Sequence, residues 1–351
     1  MKDFLAATGR PLPIHLTEYG WTYGRVGTTT PALELKQARH ASRAIALLAR
    51  EHLASSVYFM LHWDTGPGSQ DWSVVYGDYT PRPGYAAIAT AYRWLTGCQG
   101  GTLLHPTPSA YLILFSREGK SVGVAWDTEG SSVFQLPASV TRAEGMTGTP
   151  LQSGEDRRIT LTQSPVYFEC ADPALAAPTP GIGMRLFKGG QARLPVVFSE
   201  LALPGLLTRT PDGIAAPVNA QAGTYVALAK TRGGWQTATV QVEPLWSVAL
   251  AEVVWPDAAP DPVVCLTLRT SLPTATVTPR LRLDGRPDEF AENVALAAGR
   301  DAHVQIPIRN YANGTPVSGE AVIEGRLDGK LDSHGLRFLA LPQTTKTKGA
   351  Q

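Results

Sequence analysis

The rhythm of hydrophobic and polar positions changes near residue 100. Before that point short apolar runs alternate with stretches of helical period. Pro13–Glu18 predicts a first strand, and alternation puts Ile14, Leu16 and Glu18 on one face. Thr30–Leu53 predicts a helix: Thr30 suits the N-cap, Pro31 suits the first turn, and Leu35, Ala38, Ser42, Ile45 and Leu48 recur at helical spacing. Ser55–Trp63 predicts a second strand, rich in β-branched and aromatic side chains. A 20-residue loop follows, Asp64–Pro83. The next helix carries Tyr85, Ile88, Tyr92 and Leu95 as its apolar stripe and ends at Gly97. Strand–helix–strand–helix implies parallel pairing through right-handed crossovers. Both runs are apolar on both faces, as parallel strands covered by helices must be.

From about residue 101 the pattern becomes β only, so the expected fold class is α/β followed by all-β. Glu118-Gly119-Lys120, Gly233-Gly234, Asp284-Gly285 and Asp328-Gly329 read as turns between strands. Expected divisions are an α/β part at 1–100, a β-sandwich at 101–171 and a Pro/Ala/Gly linker at 172–183. A β-rich module at 184–245, a second sandwich at 246–342 and a disordered tail at 343–351 complete the chain.

Composition narrows the function classes. With 351 residues, 43% of them hydrophobic and 17% charged, the chain has ample apolar material for packed cores. Lys+Arg 31 against Asp+Glu 30 gives a net charge of +1, so there is no basic field for nucleic acid or anionic lipid, and neither is an expected partner. No run is long enough to span a membrane. Cys98, Cys170 and Cys265 lie far apart and read as buried or free thiols, with a Cys98–Cys170 disulfide as the alternative. No metal-type cluster or phosphate-type glycine loop occurs, and no metal or cofactor is expected. The opening MKDFLAATGRPLP lacks the apolar run of a secretory leader. Phe4–Ala7 followed by Gly9 reads as the end of a helix, so the chain is expected to be a piece of something longer. The compartment stays open, extracellular or periplasmic if a longer chain carries a leader.

Glu18 is the first candidate for chemistry. Parallel strands with helical crossovers place reactive groups at their C-terminal ends. Glu18 stands at such an end, and Tyr19, Trp21 and Tyr23 follow it. Aromatic rings beside a carboxylate suit a sugar, whose C–H faces stack on rings while its hydroxyls seek polar partners. The second strand also ends in polar and aromatic groups: His62, Trp63 and Asp64. The long loop after it is of the functional kind. The rival readings are ordinary ones. Glu18 would pair with a neighbouring Arg or Lys, Trp63 would be a core aromatic, His62 a rim histidine, and Asp64 a cap for the loop backbone.

The motif Thr17-Glu18-Tyr19-Gly20, the strand YFMLHWD and the segment Gly77-Asp78-Tyr79-Thr80-Pro81-Arg82-Pro83-Gly84-Tyr85 together resemble the end of a clan A retaining glycoside hydrolase. The β block closing with SPVYFE resembles the sandwich that follows such barrels. The resemblance covers the first half of the chain. It implies a partial (β/α)8 TIM barrel, its last strands and helices only, followed by two or three β-sandwich domains. It also implies a glycoside hydrolase acting on O-glycosidic bonds of an oligo- or polysaccharide. Glu18 would be the nucleophile and must stay ionised. Tyr19, Trp21, His62, Trp63 and Asp64 would line the first sugar subsite, with Phe59 or His62 facing the sugar according to the strand register. The acid/base carboxylate would lie on a strand in a preceding barrel half, so this chain alone is expected to be inactive.

The weaker signals have plain readings. Asn313-Gly314-Thr315 reads as a turn ahead of a glycosylation acceptor. Trp126, Trp235, Trp246 and Trp255 read as sandwich core ahead of a sugar platform. The alternative function is a non-catalytic carbohydrate-binding or adhesion protein, or a purely structural one, in which the β modules matter and the α/β part is inert.

Overall fold

The computed structural model describes residues 14–53, 55–62, 66–130, 132–152, 157–255, 261–311, 316–327 and 330–341. The N-terminal helix end, the Asn313-Gly314 and Asp328-Gly329 turns and the tail lie outside them. The described residues are mostly strand, in several sheets, with two α-helices.

Strand β1 (His15–Tyr19) and strand β2 (Ser55–Tyr58) pair in parallel, connected by α1 (Pro31–Arg50). The expected cap is in place: Thr30 Oγ1 accepts the Leu33 N–H at 3.4 Å, with Pro31 behind it. Helix α2 (Pro83–Leu95) follows the long loop. Its buried face matches the expected stripe in part: Leu95 is buried and Ile88 packs against the core. Tyr85 and Tyr92 are 42% and 41% exposed, while Ala87, Ala91 and Trp94 are buried. Ala87 and Ala38 of α1 share a small core with Met146. Small side chains on facing sides let two helices approach closely, and that contact outweighs the larger but scattered tyrosines.

The α/β part and the first sandwich share one core. Strands β3 (Gln99–Leu104), β4 (Ala110–Arg117), β5 (Lys120–Asp127), β6 (Ser132–Gln135), β7 (Val140–Gly145), β8 (Arg158–Leu161) and β9 (Val166–Cys170) follow. Five of them form an antiparallel sheet in the order β3-β4-β5-β9-β7. The β4–β5 turn is the expected one, with Glu118 and Gly119 both at positive φ, 51° and 73°. One face of this sheet presents Ile113, Phe115, Val122, Val124, Trp126 and Tyr167 to Ile45, Ala46, Ala91, Trp94 and Leu95 of the helices. The other face presents Leu112, Leu114, Ala125 and Phe168 to Phe134, Ile159 and Leu161 of the β6–β8 pair. Ala202, Leu228 and Trp235 join that second core. They belong to a sheet ordered Thr179–Phe187, Gly234–Glu243, Gly223–Thr231, Glu200–Ala202.

A linker at 172–183 is not what forms. Pro173–Ala176 makes a 3-10 turn capped by Asp172, Leu175 is fully buried, and a strand begins at Thr179. Asp172 also accepts from Trp235 Nε1 at 2.9 Å and from Lys230 Nζ at 2.5 Å, which holds its carboxyl below the usual range. The chain divides into two compact units: residues 1–185 with 192–215 and 223–241, and residues 186–191 with 216–222 and 242–351. The expected module at 184–245 is therefore split between them. The second unit is a sandwich around Trp246, Leu266, Leu281, Ile306 and Ile323. The Trp246 ring lies so close to Gly325 that a Cβ there would meet it at 2.8 Å. Trp126, Trp235 and Trp246 are core residues, and Trp255 is half-buried. The three cysteines are free thiols. Burial pushes the Cys98 thiol up to about 11. Among the described residues no helix is long and apolar enough to cross a membrane.

Glu144 links α2 to β7. Its carboxylate accepts from Trp94 Nε1 and Arg142 Nε, both at 2.9 Å, and pairs with Arg93. Burial opposes the charge, yet these hydrogen bonds and the two guanidinium charges hold the carboxyl below its usual range. A carboxyl with a depressed folded pKa stabilises fully above its unfolded value, about 4.3, and loses that contribution as pH falls through the lower folded one. Thermal stability of the wild type is therefore expected to fall more steeply between about pH 5 and pH 3 than that of Glu144→Gln. Parallel calorimetric pH series would show it; identical slopes would remove Glu144 from the account.

Candidate functional site

The rim at the C-terminal ends of β1 and β2 is built on an irregular strand. Leu16 pairs with Ser56 and Tyr19 with Tyr58, so three steps on β1 match two on β2. That extra residue is a bulge, and it breaks the alternation. Ile14, Leu16 and Glu18 therefore do not form one continuous face, contrary to the simple period-two expectation. Leu16 is half-buried, whereas Thr17 and Glu18 are both exposed. Tyr19 turns into the core under the helices, with Ile45, Ala91 and Trp94. Glu18, its neighbour in the chain, is exposed. Val57 and Leu61 are also exposed, at 54% and 56%. Among the described residues Glu18 makes no ion pair or hydrogen bond, so the ordinary reading of a glutamate paired with Arg or Lys is not what is seen.

Tyr19 and Trp21 are half-buried rings that pack edge-on against their neighbours. Tyr19 meets Tyr58 edge-on at 5.4 Å and Trp21 at 6.1 Å, and Trp21 meets His40 of α1 at 5.6 Å. Burial pushes the Tyr19 phenol well above its usual range and that of Tyr58 up to about 12. Burial also lowers the His40 pKa, with Arg43 and Lys36 adding to it. Tyr19 thus packs toward the helices together with Ile45, Ala91 and Trp94, and Trp21 toward His40 of α1.

The second strand end contributes differently. Phe59 N–H donates to Tyr19 O at 2.7 Å, and the Phe59–Met60 peptide is cis. A Cβ on Gly20 would lie 1.9 Å from Phe59 O. The glycine of Thr-Glu-Tyr-Gly is thus explained by the close approach of two backbones. Phe59 meets Trp72 at 5.6 Å, and His62 meets Tyr79 at 5.1 Å. Trp63 and Asp64 lie outside the described residues.

The loop that carries Trp72 and Tyr79 is held by a buried polar latch. Arg82 Nη1 donates to Asp71 Oδ2 at 2.9 Å, and the two side chains are only 11% and 3% exposed. The guanidinium sits 5.3 Å from the Tyr23 ring and 4.8 Å from that of Tyr76. Tyr76 OH donates to Glu34 Oε2 at 2.9 Å, and Tyr23 OH to Ser73 O at 2.8 Å. From α1, Gln37 Nε2 reaches Trp21 O at 3.0 Å and Trp72 O at 3.3 Å. These positioning residues were not legible as a set. Arg82 stands inside a quoted motif, but no spacing rule ties it to Asp71, Tyr23 or Glu34. Among the described residues no group of His, Cys, Asp and Glu could hold a metal ion.

No family model matches the sequence, and no curated protein matches it. Solved structures similar to the chain include glycoside hydrolases. A family 39 glycoside hydrolase from the gut symbiont Bacteroides cellulosilyticus WH2 is 19% identical over 47% of this chain and 35% of its own, with a TM-score of 0.38. A GH30 endoxylanase from Clostridium papyrosolvens C71 is 14% identical over 47% of this chain and 42% of its own, with a TM-score of 0.30. A gamma-CGTase from alkalophilic Bacillus clarkii is 12% identical over 98% of this chain and 55% of its own, with a TM-score of 0.29. The chain spans between 35% and 55% of the length of these proteins.

Proposed function

We propose that the chain is the C-terminal part of a retaining glycoside hydrolase, with Glu18 as its nucleophile. The observation that carries this reading is an exposed carboxylate, Glu18, near the C-terminal end of a strand that pairs in parallel with its neighbour. Two more features support it. The strand pair leaves apolar Val57 and Leu61 uncovered, and α2 leaves Tyr85 and Tyr92 uncovered, as expected where a barrel continues. Further strands of a preceding barrel half would cover these surfaces.

The chemistry needs a second carboxyl about 5–5.5 Å from Glu18, supplied by that half. The Glu18 carboxylate attacks the anomeric carbon as the bond to the leaving oxygen breaks, and the partner acid protonates that oxygen. The resulting glycosyl ester is then hydrolysed by water, whose proton returns to the partner carboxylate. The test is covalent trapping with 2-deoxy-2-fluoroglycosides of gluco, xylo, manno and galacto configuration. Peptide mass spectrometry is expected to find an ester on Glu18 when the chain is joined to its barrel half. It should find none with the chain alone. Absence of an adduct in the joined protein refutes the assignment.

A further inference from the structure

Tyr79 is the conspicuous side chain on the loop after β2. It is 70% exposed, and its backbone is left-handed, with φ at 64°. The turn around it is tightly specified. Tyr79 N–H donates to Tyr76 O at 2.9 Å and Tyr76 N–H to Thr80 O at 2.9 Å. Asp78 Oδ1 accepts from Thr80 N at 3.0 Å and from Thr80 Oγ1 at 2.6 Å. Val75 and Pro81 bridge below. This is a three-residue hairpin loop, a type I turn followed by one left-handed residue. That last position suits glycine or asparagine and penalises a residue with a bulky side chain. A tyrosine there is a strained choice, and the strain gains no burial, since the ring stands mostly in solvent. Among the described residues its ring contact is with His62, at 5.1 Å and tilted by 31°.

β1 and β2 run parallel, so Glu18, near the C-terminal end of β1, and His62, beyond that of β2, belong to the same end of the strand pair. We infer that Tyr79, backed by His62, is a stacking platform for one pyranose ring of the substrate chain, on the rim beside the Glu18 position. This rests on the glycosidase reading for the identity of the ligand. The chemistry matches: an exposed phenol ring offers a flat apolar face to sugar C–H groups, and the His62 imidazole packs beside it. The ligand is a neutral oligosaccharide long enough to reach past the first subsite.

The test uses titration calorimetry of the 351-residue chain with cellohexaose, xylohexaose and mannohexaose, alongside thermal melts. Tyr79→Gly relieves the left-handed strain, so its melting temperature is expected to equal or exceed that of the wild type. Its affinity for the hexaose that binds is expected to fall about tenfold, the worth of one good aromatic contact. Tyr79→Phe is expected to bind within about twofold of the wild type. A merely structural tyrosine would give the opposite pattern, a lower melting temperature with unchanged affinity, and that would overturn the inference. So would a wild-type chain that binds none of the three sugars. Trapping on Glu18 is read separately, so loss of the platform and loss of the nucleophile assignment are distinguishable.

Discussion

Arg82→Ala is expected to destabilise the first unit by about 3–5 kcal/mol, the range for removing one partner of a buried ion pair. The side chains of Asp71 and Glu34 are 3% and 10% exposed, and both would be left without the cation they face. Tyr23 and Tyr76 would lose the guanidinium between their rings. Asp71 would keep only the Ser73 N–H at 3.0 Å and a long contact from Thr29, too little to offset its desolvation. Arg82→Lys keeps the charge but not the planar fork and is expected to recover only part of the loss. Denaturant melts would give the magnitude. Hydrogen exchange would give the location: residues 66–82 are expected to lose protection before β4 and β5 do. A variant as stable as the wild type would mean the latch is idle.

Gly20→Ala is the second large effect expected. A methyl group there meets Phe59 O at 1.9 Å and Phe59 C at 3.1 Å, both backbone atoms that no rotamer change can move. The strand ends must separate, and the Phe59 N–H bond to Tyr19 O must lengthen from 2.7 Å. The expected cost is about 3 kcal/mol, at the upper end for overpacking. The consequence reaches the site, because Glu18 is two residues away on the same strand end. In the joined protein, trapping on Glu18 is expected to slow even at temperatures where the variant stays folded. A thermal melt and a trapping time course separate the two effects. Unchanged values in both would show that this backbone approach constrains neither the fold nor the strand end.

Much of the local structure was legible in the sequence. Thr30, Pro31 and the apolar period gave α1 with its cap, and the β4–β5 turn followed from Glu118-Gly119. Parallel pairing of the first two strands followed from their apolar faces and the intervening helix. What was not legible came from distance and from small residues. The α2 stripe was read from Tyr85, Ile88, Tyr92 and Leu95; Leu95 is buried and Ile88 packs on the core, yet Ala87, Ala91 and Trp94 carry the rest of the buried face, because closeness of two helices is invisible in a hydrophobicity count. The 172–183 segment looked like a linker by composition, and burial of Leu175 depends on a core assembled from distant strands. The edge-on packing of Tyr19 on Tyr58 and of Trp21 on His40 was not legible, nor was the bulge between Leu16 and Tyr19, which depends on pairing with the distant strand β2. The Gly-Asp-Tyr-Thr-Pro-Arg-Pro motif proved to be architecture in large part. Pro83 opens α2, Arg82 closes the latch, and Asp78 with Thr80 shapes the turn.

The seam between helix and sheet bears on any attempt to transplant the β portion. Ile113, Phe115 and Trp126 rest on Ile45, Ala91 and Trp94, so a cut at residue 100 would strip the sheet of its cover and leave a greasy, aggregation-prone slab. An engineer wishing to graft this sandwich onto another protein should carry the donor fragment from Thr30 onward, keeping the helix with its cap, and place the splice upstream of it.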